Sequence, residues 1–356
     1  MSRFFSSRYD GLTPYEPGEQ PQDQKYIKLN TNESPFPPSP KAVAAAREAA
    51  GRLQLYSDPD VRKLTRKLAE KFDVEPSNII IGNGSDEILN FAFMAFCDEE
   101  VPAVFPDITY GFYPVFAEAC GLQYVEMPLR EDFSIDISDY FNAGGTVFIA
   151  NPNAHTGVAL SREQIEEIIR NNPDNVVVVD EAYVDFGAES CVDLINKYDN
   201  LLVIQTMSKS RSLAGARLGY GIANSQLITD MNTLRNSTNP YNINSMTMAA
   251  GEGVLEDEEY TAANCRAVMK NRDYTVNELK RLGFALTDSV GNFIFMKHPE
   301  IDGGYIYETM KSKGVLIRHF TKERICQYNR VTIGSRQQME RFIQTLEEII
   351  TAGGKK

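Results

Sequence analysis

Short apolar runs separated by polar turns make up the first two thirds of the chain. Residues 176–179 are four consecutive valines that lead directly into Asp180, and residues 201–204 are a second run of this kind. An unbroken β-branched run is typical of a strand that is buried on both faces of a parallel sheet. Further apolar runs lie at residues 78–81, 101–106, 123–127 and 146–150. The alternation of these runs with helical patterns predicts a parallel α/β sheet that extends to about residue 224.

Helical periodicity fills the intervals and much of the C-terminal third. Residues 40–55 are rich in alanine, residues 61–72 place leucines on one face, and residues 161–171 begin with the spacing of a capping box. The pattern is mainly helical from residue 224 to residue 282. Short strand-like runs and a closing helix are then predicted at residues 284–286, 293–296, 315–317, 330–333 and 336–350.

These patterns predict three parts of the chain. Residues 1–40 are rich in proline and polar residues and form an expected arm that joins a small domain. Residues 41–250 form a large domain, whose mainly parallel sheet is flanked by helices. Residues 251–356 form the smaller α+β domain.

Composition and charge limit the possible partners. The 356 residues are 42% hydrophobic and 24% charged, which is ordinary for a soluble globular protein. The formal net charge of -13 argues against binding to nucleic acid or to an anionic membrane surface. Five scattered cysteines without a C-x-x-C pair, and no apolar run of membrane-spanning length or signal-peptide type, favour the reducing cytoplasm. We expect no metal site.

The candidate chemistry lies at the carboxyl ends of two predicted strands. Asp180 ends the valine run, while Lys209 and Arg217 follow the run at residues 201–204. A lysine amine can bond covalently to an aldehyde, a carboxylate can keep a pyridine nitrogen protonated, and an arginine can bind a phosphate. The three side chains together indicate pyridoxal phosphate. The alternative is that Lys209 and Arg217 are solvated surface charges.

Two other turns could contribute to the same edge. Residues 82–87 form a glycine-containing turn between a predicted strand and a predicted helix at residues 88–97, a geometry that can bind a phosphate. The alternative is a helix that is simply capped by Ser85 or Asp86. Tyr110 could stack on a flat cofactor, although aromatic side chains more often belong to the core.

Taken together, these stretches resemble the aminotransferases of the pyridoxal-phosphate fold-type I superfamily, and most closely the histidinol-phosphate aminotransferases. The resemblance covers nearly the whole chain. It is carried by residues 12–18, 29–33, 56–59, 82–87, 180–183, 208–217, 292–293 and 330–334.

The resemblance implies a role for each of the candidate residues. Lys209 would be the Schiff-base lysine and the base that moves the substrate proton, Asp180 would hold the pyridinium nitrogen, and Tyr183 would donate to the ring hydroxylate. The resemblance assigns the cofactor phosphate to Gly84, Ser85, Asp86, Ser208 and Arg217, with Thr206 as a weaker candidate. Tyr110 would stack on the ring.

The resemblance also implies substrate contacts and a second subunit. Arg330 would bind the substrate carboxylate or phosphate, with Arg318 as a second anion clamp, and Tyr15 and Asn32 would line the pocket. For Arg318 the alternative is a structural surface arginine, and for Tyr15 it is a packing role. Tyr56 would reach the cofactor phosphate of the neighbouring subunit, which makes a homodimer part of the site.

One turn departs from the family pattern. Where the family carries Asn-Pro-Thr-Gly, this chain has Ala154, His155, Thr156 and Gly157. Alanine cannot donate to the ring hydroxylate, so either Asn153 takes that role or Tyr183 acts alone. His155 could be a substrate-facing acid or base, but the preferred interpretation is that it is a bystander.

The resemblance implies an aminotransferase that works between glutamate or 2-oxoglutarate and a phosphorylated amino alcohol, for which we expect histidinol phosphate in histidine biosynthesis. Two alternatives use the same scaffold, an aromatic amino-acid aminotransferase and a threonine-phosphate decarboxylase. A non-catalytic regulatory module that binds pyridoxal phosphate is disfavoured, because the acidic N-terminal region offers no DNA-binding domain.

Overall fold

The computed structural model of the protein describes residues 2–9 and 11–352, so the extreme ends of the predicted arm and small domain lie outside the described residues. The strands are β1 (Ile27–Lys28), β2 (Ile79–Asn83), β3 (Ala103–Pro106), β4 (Tyr124–Met127), β5 (Thr146–Ala150), β6 (Val177–Asp180), β7 (Leu201–Thr206), β8 (Leu218–Ala223), β9 (Ala285–Leu286), β10 (Phe293–Lys297), β11 (Val315–Leu316), β12 (Arg318–His319) and β13 (Asn329–Thr332). The helices are α1 (Pro40–Ala50), α2 (Arg62–Phe72), α3 (Ser85–Phe96), α4 (Tyr113–Cys120), α5 (Arg162–Arg170), α6 (Ser225–Thr238), α7 (Ser245–Leu255), α8 (Glu258–Arg281), α9 (Gly303–Ser312) and α10 (Arg336–Thr351).

A seven-stranded sheet in the order β2-β8-β7-β6-β5-β3-β4 forms the centre of the fold. Its strands β7, β6, β5, β3 and β4 are parallel, which confirms the mainly parallel sheet. The extension of the parallel pattern to residue 224 is wrong, because β8 runs antiparallel to both β7 and β2. The loop at residues 207–217 contains only a short 3-10 turn, and a parallel return would need a crossover helix.

The valine run is buried on both faces, as its lack of alternation predicts. Val177 and Val179 pack in one apolar cluster, whereas Val178 packs in a second cluster on the opposite face of the sheet. Helices α2, α5 and α7 cover the first face, and α3, α4 and α6 cover the second. Each fully buried side chain of this size contributes about 1.5–3 kcal/mol relative to an exposed one. The carboxyl ends of β6 and β7 are thereby held firmly at one edge.

The C-terminal part has its own apolar cluster, in which side chains of α8, α9 and α10 pack on the antiparallel sheet β12-β13-β10-β9. Strand β1 from the arm pairs in parallel with β11, with Ile27 opposite Val315. The sequence pattern missed α9, β1, β8 and β12, and the division of the chain at residues 40 and 250 stays a prediction. Among residues 2–9 and 11–352, no helix combines the length and apolar character of a membrane span.

Two predicted helix boundaries are wrong, and one of them matters for the site. The first helix ends at Ala50 rather than at residue 55, because Gly51 caps it through hydrogen bonds to the carbonyls of Glu48 and Ala49. Helix α3 begins at Ser85 rather than at residue 88. The glycine-containing turn therefore leads directly into a helix N-terminus, with Gly84 at φ +80° as its N-cap. The first backbone N–H groups of this helix have no acceptor within the helix, and the turn lies against the start of β8.

The backbone of this turn lies against β8 without room for a side chain. Gly82 and Gly219 are opposite each other in the β2–β8 register. A Cβ atom on Gly219 would overlap the backbone of Gly84 and Ser85. Glycine is therefore required here by close approach of two backbones rather than by an unusual φ angle.

Gly219→Ala is expected to lower the free energy of unfolding by about 1–3 kcal/mol, because the turn at Gly84 must move to admit the methyl group. Gly215→Ala is the matched control, since a Cβ atom there meets nothing within 4 Å, and its effect should stay within about 0.5 kcal/mol. Urea unfolding of the two variants measures both values. Equal effects of the two substitutions would contradict the packing assignment.

Candidate active site

A cavity of about 360 Å³ opens at the carboxyl ends of β6 and β7. Most of the predicted cofactor residues line it: Ser85, Asp86, Tyr110, Asp180, Tyr183, Thr206, Ser208, Lys209 and Arg217. Gly84 lies directly behind the guanidinium of Arg217, where a Cβ atom would collide with that group. The fold thus brings together side chains that are as far apart in the sequence as Ser85 and Arg217.

Lys209 extends its amine into this cavity from the loop after β7. Its Nζ donates a hydrogen bond to the carbonyl oxygen of Thr31 at 3.3 Å and lies 5.9 Å from the centre of the Tyr183 ring. Desolvation, with a further contribution from the positive charge of Arg330, lowers the pKa of Lys209 to about 8. A sizeable fraction of the amine is therefore uncharged near neutral pH, which is the form that attacks a carbonyl carbon.

Asp180 is the last residue of β6 and is buried. Its Oδ2 accepts a hydrogen bond from the hydroxyl of Tyr113 at 3.3 Å, and its Oδ1 accepts one from the backbone N–H of Ala182 at 3.1 Å. Burial raises the pKa of Asp180 to about 7. Among the described residues it forms no salt bridge, so a bound cationic N–H group would favour its ionised form. A protonated pyridine nitrogen is such a group.

The opposite end of the cavity is suited to a phosphate. It combines the N-terminus of α3 at Ser85 with the guanidinium of Arg217 and the hydroxyls of Thr206 and Ser208. The two hydroxyl oxygens lie 3.0 Å apart, and the Thr206 oxygen also accepts the backbone N–H of Ser208. These donors fit the phosphate of pyridoxal phosphate, and they line the same cavity as Asp180.

The side-chain carboxylate of Asp86 is engaged by two neighbouring side chains. Its Oδ2 pairs with Nη2 of Arg217 at 2.7 Å, and its Oδ1 accepts the hydroxyl of Tyr110 at 2.6 Å. A carboxylate engaged in this way orients Arg217 and Tyr110 and leaves only its backbone N–H for an anion. Tyr110 is held at the cavity wall by this hydrogen bond, which is consistent with a ring that stacks on a flat ligand.

Asn32 lies behind Tyr183 and fixes its hydroxyl. Nδ2 of Asn32 donates to the Tyr183 hydroxyl at 3.0 Å, so that hydroxyl keeps its own hydrogen for another acceptor. Asn32 has a φ of 56° and is held by hydrogen bonds with the side chains of Thr332 and Asn292. Burial raises the pKa of Tyr183, which keeps the phenol protonated.

Arg330 is an arginine without an acidic partner among the described residues. Nη1 donates to the carbonyl of Ala154 at 3.2 Å and Nη2 to that of Asn30 at 3.1 Å, while its Nε is buried without a partner. Desolvation lowers the pKa of Arg330, although the group stays charged at neutral pH. A buried donor without a partner costs about 1–3 kcal/mol, so an anionic ligand at this position is strongly favoured.

Like Gly84, Asn32 and Arg330, four further predicted residues do not line this cavity. Arg318 donates to the carbonyls of Glu16 and Pro17, which places it over the arm. Tyr15 stacks on Phe112 with the ring centres 4.2 Å apart. Tyr56 is 85% exposed and does not line the cavity of its own chain. The fourth residue is Asn153.

The expectation that Asn153 contacts the cofactor needs correction. Its amide donates to the carbonyl of Ile108 at 2.8 Å and to the hydroxyl of Thr156 at 3.1 Å, and it does not line the cavity. The side chain is buried because it closes the turn, and the neighbouring Ala154 faces the cavity instead. Of the two alternatives from the sequence, the geometry therefore favours Tyr183 acting without an asparagine.

Several residues at the site were not singled out from the sequence. Tyr113 binds Asp180, Thr31 accepts from Lys209, and Glu33 lines the cavity while it pairs with Lys28 at 2.7 Å. Tyr113 follows a turn that was noted, and Thr31 and Glu33 belong to a quoted motif. Whether these side chains reach the site depends on how α4 and the arm pack against the sheet. No local sequence pattern reveals that packing.

Comparison with known proteins identifies the family that the chain resembles over nearly its whole length. The sequence profile "Aminotransferase class I and II" matches residues 24–346. The chain is 47% identical over 352 residues to a histidinol-phosphate aminotransferase of Acinetobacter baumannii, covering 98% of each protein. It is 48% identical to one of Brachyspira hyodysenteriae, covering 98% of this chain and 99% of that protein. A solved structure of histidinol-phosphate aminotransferase from Sinorhizobium meliloti, in complex with pyridoxal-5'-phosphate, superposes with a TM-score of 0.90 at 24% identity, covering 99% of each chain.

The lowered pKa of Lys209 predicts its chemical reactivity. In the cofactor-free protein, trace acetylation of Lys209, followed by mass spectrometry as a function of pH, should show a midpoint at about 8 rather than 10.5, because the ammonium form is disfavoured in the cavity. Arg330→Gln removes a positive neighbour and should raise that midpoint. Lys197, whose pKa its partner Glu166 raises, serves as the internal standard. A wild-type midpoint near 10.5, or a decrease in Arg330→Gln, would contradict this assignment.

Proposed function

Because this chain belongs to the class I and II aminotransferase family, we propose that it transfers an amino group between glutamate and a phosphorylated amino alcohol, histidinol phosphate. The full-length similarity to histidinol-phosphate aminotransferases supports this substrate and a place in histidine biosynthesis. The observation that carries the proposal is the cavity lined by Lys209, Asp180 and Arg217, beside which the unpaired Arg330 donates to the carbonyl of the lining residue Ala154. The five free cysteines fit the proposed reducing cytoplasm.

The cavity residues fit pyridoxal phosphate. When bound, this cofactor withdraws electrons from the Cα–H bond of the amine substrate. Asp180 would hold the proton on the ring nitrogen, and Tyr183 would donate its free hydrogen to the ring oxygen. Ser85, Thr206, Ser208 and Arg217 would hold the phosphate, and Tyr110 would cover one face of the ring: these side chains converge on one cavity, which is the geometric support for the assignment.

Lys209 would move the substrate proton. A general base works best when its pKa lies near the operating pH, and the pKa of Lys209 is about 8. Its amine would take the proton from Cα and return one to the carbon on the other side of the transferred nitrogen. The hydrogen bond to the carbonyl of Thr31 limits the directions in which the amine can point. The same amine then serves both half-reactions, because the second half-reaction uses the same proton transfer in the opposite direction.

Arg330 would bind the anionic part of both substrates in turn. Glutamate presents a carboxylate and histidinol phosphate presents a phosphate, and a guanidinium can pair with either through parallel hydrogen bonds. The half-buried position of Arg330 strengthens this interaction compared with one in water. One anion clamp that serves two substrates explains how a single site can carry out both halves of the reaction.

The two alternatives on the same scaffold are separated by their products. A threonine-phosphate decarboxylase would release carbon dioxide without a keto-acid requirement. An aromatic amino-acid aminotransferase would not depend on a phosphate in its substrate. Lys209, Asp180 and Arg217 are compatible with all three reactions, so product analysis, rather than the geometry of these residues, decides between them.

The direct test is conversion of glutamate and imidazole acetol phosphate into 2-oxoglutarate and histidinol phosphate by the purified protein with pyridoxal phosphate. Lys209→Ala is expected to lower the rate at least about a hundredfold, because the general base is lost. It should also abolish the borohydride-fixed bond between protein and cofactor, as measured by mass spectrometry. Lys197→Ala, an exposed lysine paired with Glu166, is the control and should keep both properties. A variant at residue 209 that still fixes the cofactor would overturn the assignment.

We further propose that the chain acts as a homodimer in which Tyr56 completes the partner's site. Tyr56 is 85% exposed and stacks on Tyr241, which is 45% exposed, with their ring centres 4.7 Å apart. Leu53 and Leu55 beside them are 54% and 63% exposed. Large apolar side chains grouped on a surface mark an interaction site, and a two-fold axis would bring the same group onto a second copy.

Subunit complementation tests the shared site. Tyr56→Ala and Lys209→Ala chains are each expected to be weakly active when purified alone. Mixed and allowed to exchange in equal amounts, they should recover about a quarter of the wild-type activity, since half of the dimers would carry one intact site out of two. Activity in the mixture equal to the average of the two parents would show that Tyr56 does not act across the interface.

A further inference from the structure

His155 stands where the family turn carries proline, and it lies between two arginines. The carbonyl of Ala154, directly before it, accepts the hydrogen bond from Arg330. The imidazole stacks on Phe320 with the ring centres 4.7 Å apart. The same phenyl ring faces the guanidinium carbon of Arg318 at 5.8 Å and that of Arg330 at 5.9 Å. The imidazole of His155 and the two guanidinium groups therefore all lie within 5.9 Å of the Phe320 ring centre.

His155, Phe320 and Arg318 border a second cavity of about 360 Å³, which shares Tyr110 with the cofactor cavity. His155, Arg318 and Lys322 line it together with three acidic residues. Asp107 is paired with Arg324 at 3.1 Å, and Glu126 lies 3.8 Å from Lys322. The third acid, Glu16, accepts Arg318 only through its backbone carbonyl. Within residues 2–9 and 11–352, neither Arg318 nor Arg330 forms a salt bridge.

The Nδ1 atom of His155 is buried, and no hydrogen bond of good geometry satisfies it among the described residues. The backbone of Ala154 acts on the ring, but its carbonyl oxygen already accepts the hydrogen bond from Arg330. The Nδ1 atom is costly to leave unsatisfied, so a ligand atom is expected beside it. Burial, together with the charges of Arg330 and Arg318, lowers the pKa of His155 to about 3. At neutral pH the ring is therefore uncharged and can carry its one proton on Nδ1, where it acts as a donor.

We propose that His155 is a specificity-determining residue that donates a hydrogen bond from Nδ1 to the phosphate of the amine substrate, beside Arg318 and Arg330. This inference rests on the proposed function and assigns a role to a residue that the family pattern does not supply. A carboxylate has two oxygens, which one guanidinium fork satisfies. A phosphate monoester has three terminal oxygens. Arg318, Arg330 and His155 together offer one donor side chain for each of them. His155 thus favours the phosphorylated substrate and contributes little to glutamate binding.

The test compares the two half-reactions of the holoenzyme. His155→Phe keeps an aromatic ring against Phe320 and removes both nitrogens. We expect kcat/KM for histidinol phosphate to fall about tenfold or more, the effect of losing one hydrogen bond to a charged group, while kcat/KM for glutamate changes less than about twofold. His155→Asn returns an N–H group near the Nδ1 position and should recover part of the loss. His298→Phe is the matched control, because His298 also packs on a phenylalanine, Phe284, but borders neither cavity.

Each other result decides against the proposal. An unchanged ratio of the two kcat/KM values in His155→Phe means that His155 is a bystander that packs on Phe320. A parallel loss for both substrates means that His155 only supports Arg330 through the shared turn. Should the phenylalanine variant fail to fold in a thermal unfolding measurement, His155→Leu gives the same comparison. Failure of the proposed function is distinguishable, because the wild-type chain would then give no histidinol phosphate.

Discussion

The arrangement depends on the removal of water from one lysine and one aspartate at the same sheet edge. Strands β6 and β7 pair in parallel with Asp180 opposite Ile204, so the carboxylate and the loop that carries Lys209 emerge side by side. Desolvation lowers the pKa of Lys209 to about 8, and burial raises that of Asp180 to about 7. Each charged form is therefore less favourable in the cavity than it would be in water. A flat cofactor with an aldehyde at one position and a basic nitrogen at another compensates both groups.

The positive charges around the cavity are divided between two tasks. Arg217 is already paired with Asp86, so the cofactor phosphate would meet a nearly neutral pair, hydroxyl groups and a helix N-terminus. Arg330 has no such partner among the described residues, and its Nε is buried without an acceptor. The first set suits a group that stays bound, whereas the second suits an anion that must arrive and leave with each turnover. A chain with a net charge of -13 can still attract anions through this local field.

The sequence predicted the parts of this site that local patterns determine. The valine run and its following Asp180 identify a two-faced buried strand, and Lys209 with Arg217 identifies the cofactor chemistry. The antiparallel direction of β8 was not predicted. It follows because the loop between β7 and β8 is too short to contain a crossover helix. Tyr113 and Thr31 were missed because their contacts with Asp180 and Lys209 are set by packing between distant segments. Asn153 was expected at the cofactor, but its amide instead donates to the carbonyl of Ile108 and the hydroxyl of Thr156 and so closes its own turn. The sequence motif alone does not distinguish these two sets of contacts.

The missing asparagine at Ala154 changes how the ring oxygen of the cofactor would be held. With Asn153 turned away, the proposed donor is Tyr183 alone, and its orientation then matters more. Asn32 donates to the Tyr183 hydroxyl and is itself fixed by Thr332 and Asn292. Because that hydroxyl already accepts one hydrogen bond, its hydrogen is directed toward the remaining side, where the cavity lies. In the proposed arrangement, the network around Asn32 would orient Tyr183 and so compensate for the second donor that the resemblance implies at Ala154. The turn at residues 154–155 would then be free to place His155 beside the proposed anion clamp.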